Sequence, residues 1–257
     1  AHILNFEPAS GVMGGIRTVL GSLWKPPQFL PRWYTEGLAV EMESALTPMG
    51  RGKSLFYAAQ ARAFFEDKKW GQESIDRLAS SIIPSWPRGS RSYYFGYFLM
   101  HELNERPNQS QSKNIYGLLN NRYGGRFPWF INGPVEDEFG KTYAEILTET
   151  YNKKSKDLQS QIQLLKNSGA KNGTPVSTLH GYFTFGAQIS PDGLKMAVIT
   201  NELNTDPQIQ LITRSTKNIS FSSTENQIQS LVKAKGLKQI SWTPDSQNII
   251  FDQENTW

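Results

Sequence analysis

The chain has 257 residues, 38% hydrophobic and 12% aromatic, which is enough for one large domain or two smaller ones with buried cores. It has no cysteine, which excludes disulfides and thiolate metal sites, and no apolar run near the ~20 residues of a membrane helix. The net charge of +4 is scattered rather than gathered in a stripe, so no nucleic-acid partner is expected.

In chain order, Val12, Ile16, Val19, Leu20 and Leu23 stand at helical spacing and predict a helix over 11–25, which Pro26 and Pro27 end. A second helix is predicted over 32–45, opened by Pro31 and followed by Pro48, with Trp33 anchoring its first turn. Further helices are predicted over 55–67, 73–80 and 92–106, and one or two within 143–166. The basic run Lys153-Lys154-Ser155-Lys156 is expected at a solvated helix end. Residues 167–178, rich in Gly, Asn and Pro, read as a linker. Beyond them the period becomes strand-like, with short β-rich runs over 194–200 and 208–213.

The second half carries an internal repeat. Residues 189–198 align with 242–251, so that Pro191-Asp192 and Pro244-Asp245 stand 53 residues apart. In each copy Pro fixes φ, Asp caps a turn, and Gly193 or Ser246 completes it before an apolar strand. A period of about 40–50 residues with several strands per unit points to propeller blades. The motif resembles the repeats of TolB-type propellers, which implies a β-propeller of which residues 179–257 hold the first blades. Closure takes about 4–8 blades, so this stretch is expected to be an incomplete propeller. Ala1 is not a Met and Trp257 follows closely on a strand, so the chain reads as a piece of a longer protein.

The sharpest segment is Leu30–Glu43. Glu36 and Glu43 lie seven residues apart, on one helical face. Gly37 costs about 1 kcal/mol against Ala in a helix interior, and a helix keeps such a residue where another backbone must come close. The pattern Trp33, Glu36, Gly37, Ala39, Glu43 resembles the second zinc-binding helix of gluzincin peptidases, especially relatives of aminopeptidase N. The resemblance spans residues 1–150. It implies that Glu36 is a zinc ligand, and that Ala1-His2-Ile3-Leu4 is the tail of an H-E-x-x-H helix with His2 as a second ligand. The first histidine and the general-base glutamate of that motif are not in the chain. Two imidazoles and a carboxylate would hold one Zn²⁺ with a position left for water, and the metal would polarise a scissile carbonyl.

The same resemblance sets Tyr93, three residues before Gly96, as the hydroxyl that bonds the developing oxyanion; Tyr94 and Tyr97 fit the spacing less well. Tyr93 could equally be a packing aromatic. Glu43 would either orient a metal-bound histidine or remain a surface carboxylate. His101-Glu102 fails as H-E-x-x-H because position 105 is Glu, and both residues are expected on the exposed side of a helix. Residues 122–124 resemble the family's closing helices. His180 is expected to make a turn contact, and Gly14-Gly15 lacks the surrounding pattern of a phosphate loop.

The expected fold class is therefore a mostly α-helical peptidase part over 1–166, followed by partial antiparallel propeller blades. The function this implies is zinc-dependent peptide hydrolysis, with a peptide or protein substrate and a possible protein partner on the propeller. Two other readings stand beside it: a non-catalytic peptidase-like platform, and a cell-envelope scaffold related to TolB. The resemblance implies export to a bacterial periplasm or envelope. The fragment itself is expected to be inactive.

Overall fold

Apolar spacing, prolines and capping residues translate into helices in the first two thirds of the chain and strands in the last. The computed structural model describes residues 10–21, 29–80, 90–127, 129–171, 173, 176, 183–202 and 205–254. The chain divides into two units, Ala1–Ala170 and Lys171–Trp257. The first unit holds α1 (Gly11–Leu20), α2 (Arg32–Leu46), α3 (Leu55–Glu66), α4 (Ile75–Ala79), α5 (Arg91–Glu105), α6 (Ile115–Gly124), α7 (Asn132–Phe139) and α8 (Tyr143–Asn167). A short 3-10 turn, Arg51–Lys53, lies between α2 and α3.

Each helix predicted from residue 32 onward is present with shifted ends, and 143–166 is one uninterrupted helix. The helix predicted over 11–25 ends at Leu20, and residues 22–28 lie outside the described residues. Helix α7 went unpredicted, because Gly133, Pro134 and a run of acids give its eight residues little apolar period. The Lys153-Lys154-Ser155-Lys156 run corrects an expectation: it sits in mid-helix, since α8 continues to Asn167. There Lys153 pairs with the buried Glu102 at 3.0 Å, and the Lys154 ammonium lies 5.6 Å from the Phe98 ring centre.

The core is organised by the crossing of α2 and α5. A Cβ on Gly37 would overlap the backbone carbonyl group of Gly96, and a Cβ on Gly96 would overlap the carbonyl oxygen of Trp33. The two backbones therefore touch, and the neighbouring large side chains close around the contact. Trp33 packs edge-on against Tyr143 at 4.9 Å, and the Tyr34 hydroxyl donates to Asn120 Oδ1 at 2.7 Å. Beyond the crossing, Phe64, Trp70, Tyr94, Phe95 and Tyr151 form an aromatic cluster, with Trp70 Nε1 donating to the Tyr151 carbonyl at 3.0 Å.

In the second unit, β1 (Phe183–Ile189), β2 (Lys195–Asn201), β3 (Gln208–Thr213) and β4 (Gln227–Lys233) form one antiparallel sheet in that order. β5 (Ile240–Trp242) and β6 (Ile249–Phe251) form a separate hairpin. No closed barrel or propeller is formed among the described residues. β2 is covered on both faces, which its continuous apolar run Met196–Ile199 requires. Ala197 and Ile199 pack with Ile209, Leu237 and Ile240, while Met196 and Val198 pack with Ile212 on the opposite side. β1 and β4 were not predicted; β4 is mostly exposed and β1 contains Gly186.

The repeat is exact at the level of hydrogen bonds. In the first copy the Ser190 hydroxyl donates to Asp192, whose Oδ1 accepts from the Leu194 N–H at 2.9 Å. The Ser190 oxygen also accepts from the Lys195 N–H at 2.9 Å. Thr243, Asp245, Gln247 and Asn248 repeat every one of these bonds. Gly193 has φ +74°, and its counterpart Ser246 keeps φ +61° without being glycine. That left-handed serine has a use: its hydroxyl accepts the Asp192 N–H at 2.9 Å, which ties the first turn to the second.

Two outcomes are expected. Gly37→Ala should destabilise the helical unit by about 1–3 kcal/mol through overpacking, even though Ala favours an isolated helix by about 1 kcal/mol. Urea unfolding with an unchanged midpoint would rule out the close crossing. In the second unit, the Ser190 hydroxyl and the Leu194 N–H hold the Asp192 carboxyl below its usual range, and Thr243 and Gln247 do the same for Asp245. A depressed folded pKa contributes stability that is present above about pH 4 and lost as pH falls through the folded value. The strand circular-dichroism signal should therefore melt progressively earlier as pH is lowered below about 4. In the Asp192→Asn variant that dependence should flatten; an equally steep acid loss would contradict it.

Candidate functional site

Helix α2 turns Glu36 and Glu43 to one flank of the crossing, as their spacing predicts. Glu36 is mostly covered, with 17% of its side chain exposed, and its Oε1 lies 3.8 Å from Arg32 Nε, one turn earlier. The Arg32 guanidinium also lies 5.6 Å from the centre of the Tyr93 ring on α5. Glu36 and Tyr93 thus meet around one cation. A second guanidinium, Arg51, faces the same ring at 5.4 Å and binds Glu43 Oε2 at 2.8 Å.

Two glycines explain how Arg51 reaches this position. A Cβ on Gly50 would overlap the Ser44 backbone, and one on Gly52 would overlap the Tyr97 ring. The segment therefore presses flat on the end of α2, and the Gly52 N–H donates to the Ser44 hydroxyl at 2.9 Å. Glu43, left open between a histidine-orienting and a surface role, is held by Arg51 through both its side chain and its backbone N–H.

The three tyrosines before and after Gly96 differ in access. Tyr94 is buried and donates to the Tyr57 carbonyl at 3.0 Å. Tyr97 is buried and stacks on His101. Tyr93 is half-buried, and its hydroxyl makes no hydrogen bond among the described residues. Of the three, it is the least buried.

The zinc expectation reaches the described residues at one position only. His2 and His180 lie outside them. Among the described residues no group of three or more His, Asp or Glu stands close enough to hold a metal. Glu36 supplies one oxygen donor, and the Arg32 guanidinium beside it already neutralises that carboxylate. The described residues do not by themselves fit a zinc ion.

His101-Glu102 corrects another expectation. Glu102 is buried rather than exposed, because it faces Arg106 and Lys153 between α5 and α8. His101 is half-covered, and its Nδ1 lies 3.3 and 3.4 Å from the two oxygens of Glu41, a buried carboxylate on α2. That contact raises the His101 pKa, against the opposing effects of burial and Lys154. Burial first, and then the Glu41 charge, push the Tyr97 hydroxyl up to about 12. Arg32, Arg51 and Glu41 were not singled out in the sequence. Arg32 was legible as the i−4 partner of Glu36. Glu41 was legible as a member of the same buried helical stripe as Tyr34, Gly37 and Ser44.

Comparison of the chain with models of protein families, with characterised proteins and with solved structures gives no match in any of the three. Among the described residues no helix is long and apolar enough to cross a membrane.

The His101–Glu41 contact is testable by itself. A raised folded pKa gives stability fully present below about 6.5 and lost as pH rises through the folded value. Glu41→Gln should move the His101 midpoint back toward its ordinary value near 6.5, read by NMR titration of the imidazole protons. An unmoved midpoint would show that the carboxylate does not act on the ring.

Proposed function

We propose that the helical unit is the part of a zinc peptidase that carries the carboxylate ligand and the oxyanion donor. One observation carries this reading. The Gly37–Gly96 contact sets the residue before one glycine, Glu36, and the residue three before the other, Tyr93, around the shared Arg32. The gluzincin pattern requires that pairing of a carboxylate and a hydroxyl.

In this reading Glu36 and His2 would hold zinc, with a further ligand that the described residues do not supply. The metal would supply Lewis acidity to a scissile carbonyl. Glu36 would contribute the anionic charge that offsets the dication. Tyr93 donates its otherwise unbonded hydroxyl to the oxyanion, a role typically worth ~10²–10³ in rate. Arg32 and Arg51, on the Tyr93 ring, orient that hydroxyl. The β unit, with its repeated turn and four-stranded antiparallel sheet, is read as propeller blades that present or screen substrate.

The Arg32–Glu36 ion pair also favours a second reading, a non-catalytic platform in which the guanidinium stands permanently where a metal would be bound. Zinc titration of the full 257-residue chain separates the two. The peptidase reading expects weak binding without peptide turnover. Glu36→Gln and His2→Ala should each weaken it by about tenfold or more, while Tyr93→Phe leaves it unchanged. If Glu36→Gln binds zinc as the unaltered chain does, the carboxylate is not a ligand and the platform reading replaces this one.

A further inference from the structure

A cavity of about 230 Å³ opens between α3, α5 and α8, away from Glu36 and Tyr93. Its floor is apolar, made by Ala61, Phe98 and Leu158, and Tyr97 closes one side with its ring packed against Gly52. Three ionic side chains stand at its rim, the His101 imidazole, the Lys154 ammonium and the Asp157 carboxylate, beside the Gln161 amide, whose oxygen accepts from Arg62 at 3.1 Å.

All three retain bonding capacity. Among the described residues neither Lys154 nor Asp157 forms an ion pair, although they sit three apart on one face of α8. Lys154 instead lies over the Phe98 ring on the cavity wall. His101 uses Nδ1 toward Glu41, which turns its other nitrogen away from that carboxylate, and this nitrogen makes no hydrogen bond to a described residue. Glu41 also holds the ring in one orientation and favours its cationic form. The rim therefore presents two cationic donors and one anionic acceptor above an apolar floor.

We propose that this cavity binds a free α-amino acid with an apolar side chain. A simple anion would leave Asp157 opposed, and a simple cation would leave His101 and Lys154 opposed. A zwitterion answers both, with its carboxylate to His101 and Lys154 and its ammonium to Asp157. Size narrows the class. A water's share of liquid is about 30 Å³, so the space takes a molecule of about eight heavy atoms. That suits leucine or valine and lies below the ~300–1,000 Å³ of pockets that enclose drug-sized ligands. The inference uses neither Glu36 nor zinc, so it stands or falls apart from the peptidase reading.

The test is titration of the full chain with leucine, N-acetyl-leucine and leucinamide at about pH 6, where the imidazole is largely cationic. The signal is the His101 imidazole resonance, assigned by its loss in His101→Gln. Leucine should shift that resonance saturably at millimolar concentration or below. The two derivatives, each lacking one charge, should bind about tenfold more weakly. Lys154→Met and Asp157→Asn should each weaken leucine by about the same factor. Asp157 is exposed and Lys154 only partly buried, so helix content and the unfolding midpoint should change little, which distinguishes lost binding from lost folding. A flat leucine titration overturns the proposal. So does N-acetyl-leucine or leucinamide binding as well as leucine, or leucine affinity indifferent to both α8 substitutions.

Discussion

The contact between Gly37 and Gly96 is the constraint on which the helical unit depends. Without side chains at either position, α2 and α5 meet backbone to backbone, closer than any pair of ordinary residues would permit. The large rings around the contact are then forced outward into complementary positions. Trp33 and Tyr34 pack toward α8 and α6, and Tyr94 and Phe95 toward α3 and α8. Two glycines in helix interiors are unfavourable by local propensity, and their presence makes sense only as a tertiary requirement.

The same crossing creates two chemically different flanks. On one, Arg32, Glu36, Tyr93 and Arg51 form a partly covered group of charges and a phenol. Farther along both helices, the buried Glu41 carboxylate pairs with the half-covered His101 imidazole. α2 supplies a carboxylate to each flank because Glu36 and Glu41 are five residues apart, about 140° around a helix of 3.6 residues per turn. One helix pair thus carries two sets of polar groups that do not share a residue.

The β unit obeys a different logic, in which a short hydrogen-bonded turn is repeated and then linked to its own copy. The hydroxyl–aspartate pair satisfies the backbone of each turn internally, so the strands that follow can begin at a defined register. Ser246 accepts a left-handed backbone, which disfavours any side chain, and uses its hydroxyl to bind the preceding turn. A glycine there would ease the backbone and lose the link. Sheet and hairpin are joined by the apolar layer of Ala197, Ile199 and Ile240 and by this bond.

Local structure is legible in the order of residues wherever one residue type answers a local demand. The helix over 32–45 was legible from Pro31 and the apolar spacing behind it, the repeated turns from their Pro-Asp pairs, and the need for a close neighbour at Gly37 from the cost of a glycine in mid-helix. The order of residues could not say which backbone would come close, because Gly96 lies 59 residues away and the pairing is decided by packing. Nor could it say that Glu102 and Glu41 are buried. A carboxylate enters a core only when partners arrive from elsewhere, here Lys153 for Glu102, beside its local partner Arg106, and His101 for Glu41. β4 was hidden for the same reason: a strand of mixed polarity is stabilised by its ladder to β3, and that hydrogen bonding exists only once the sheet is assembled.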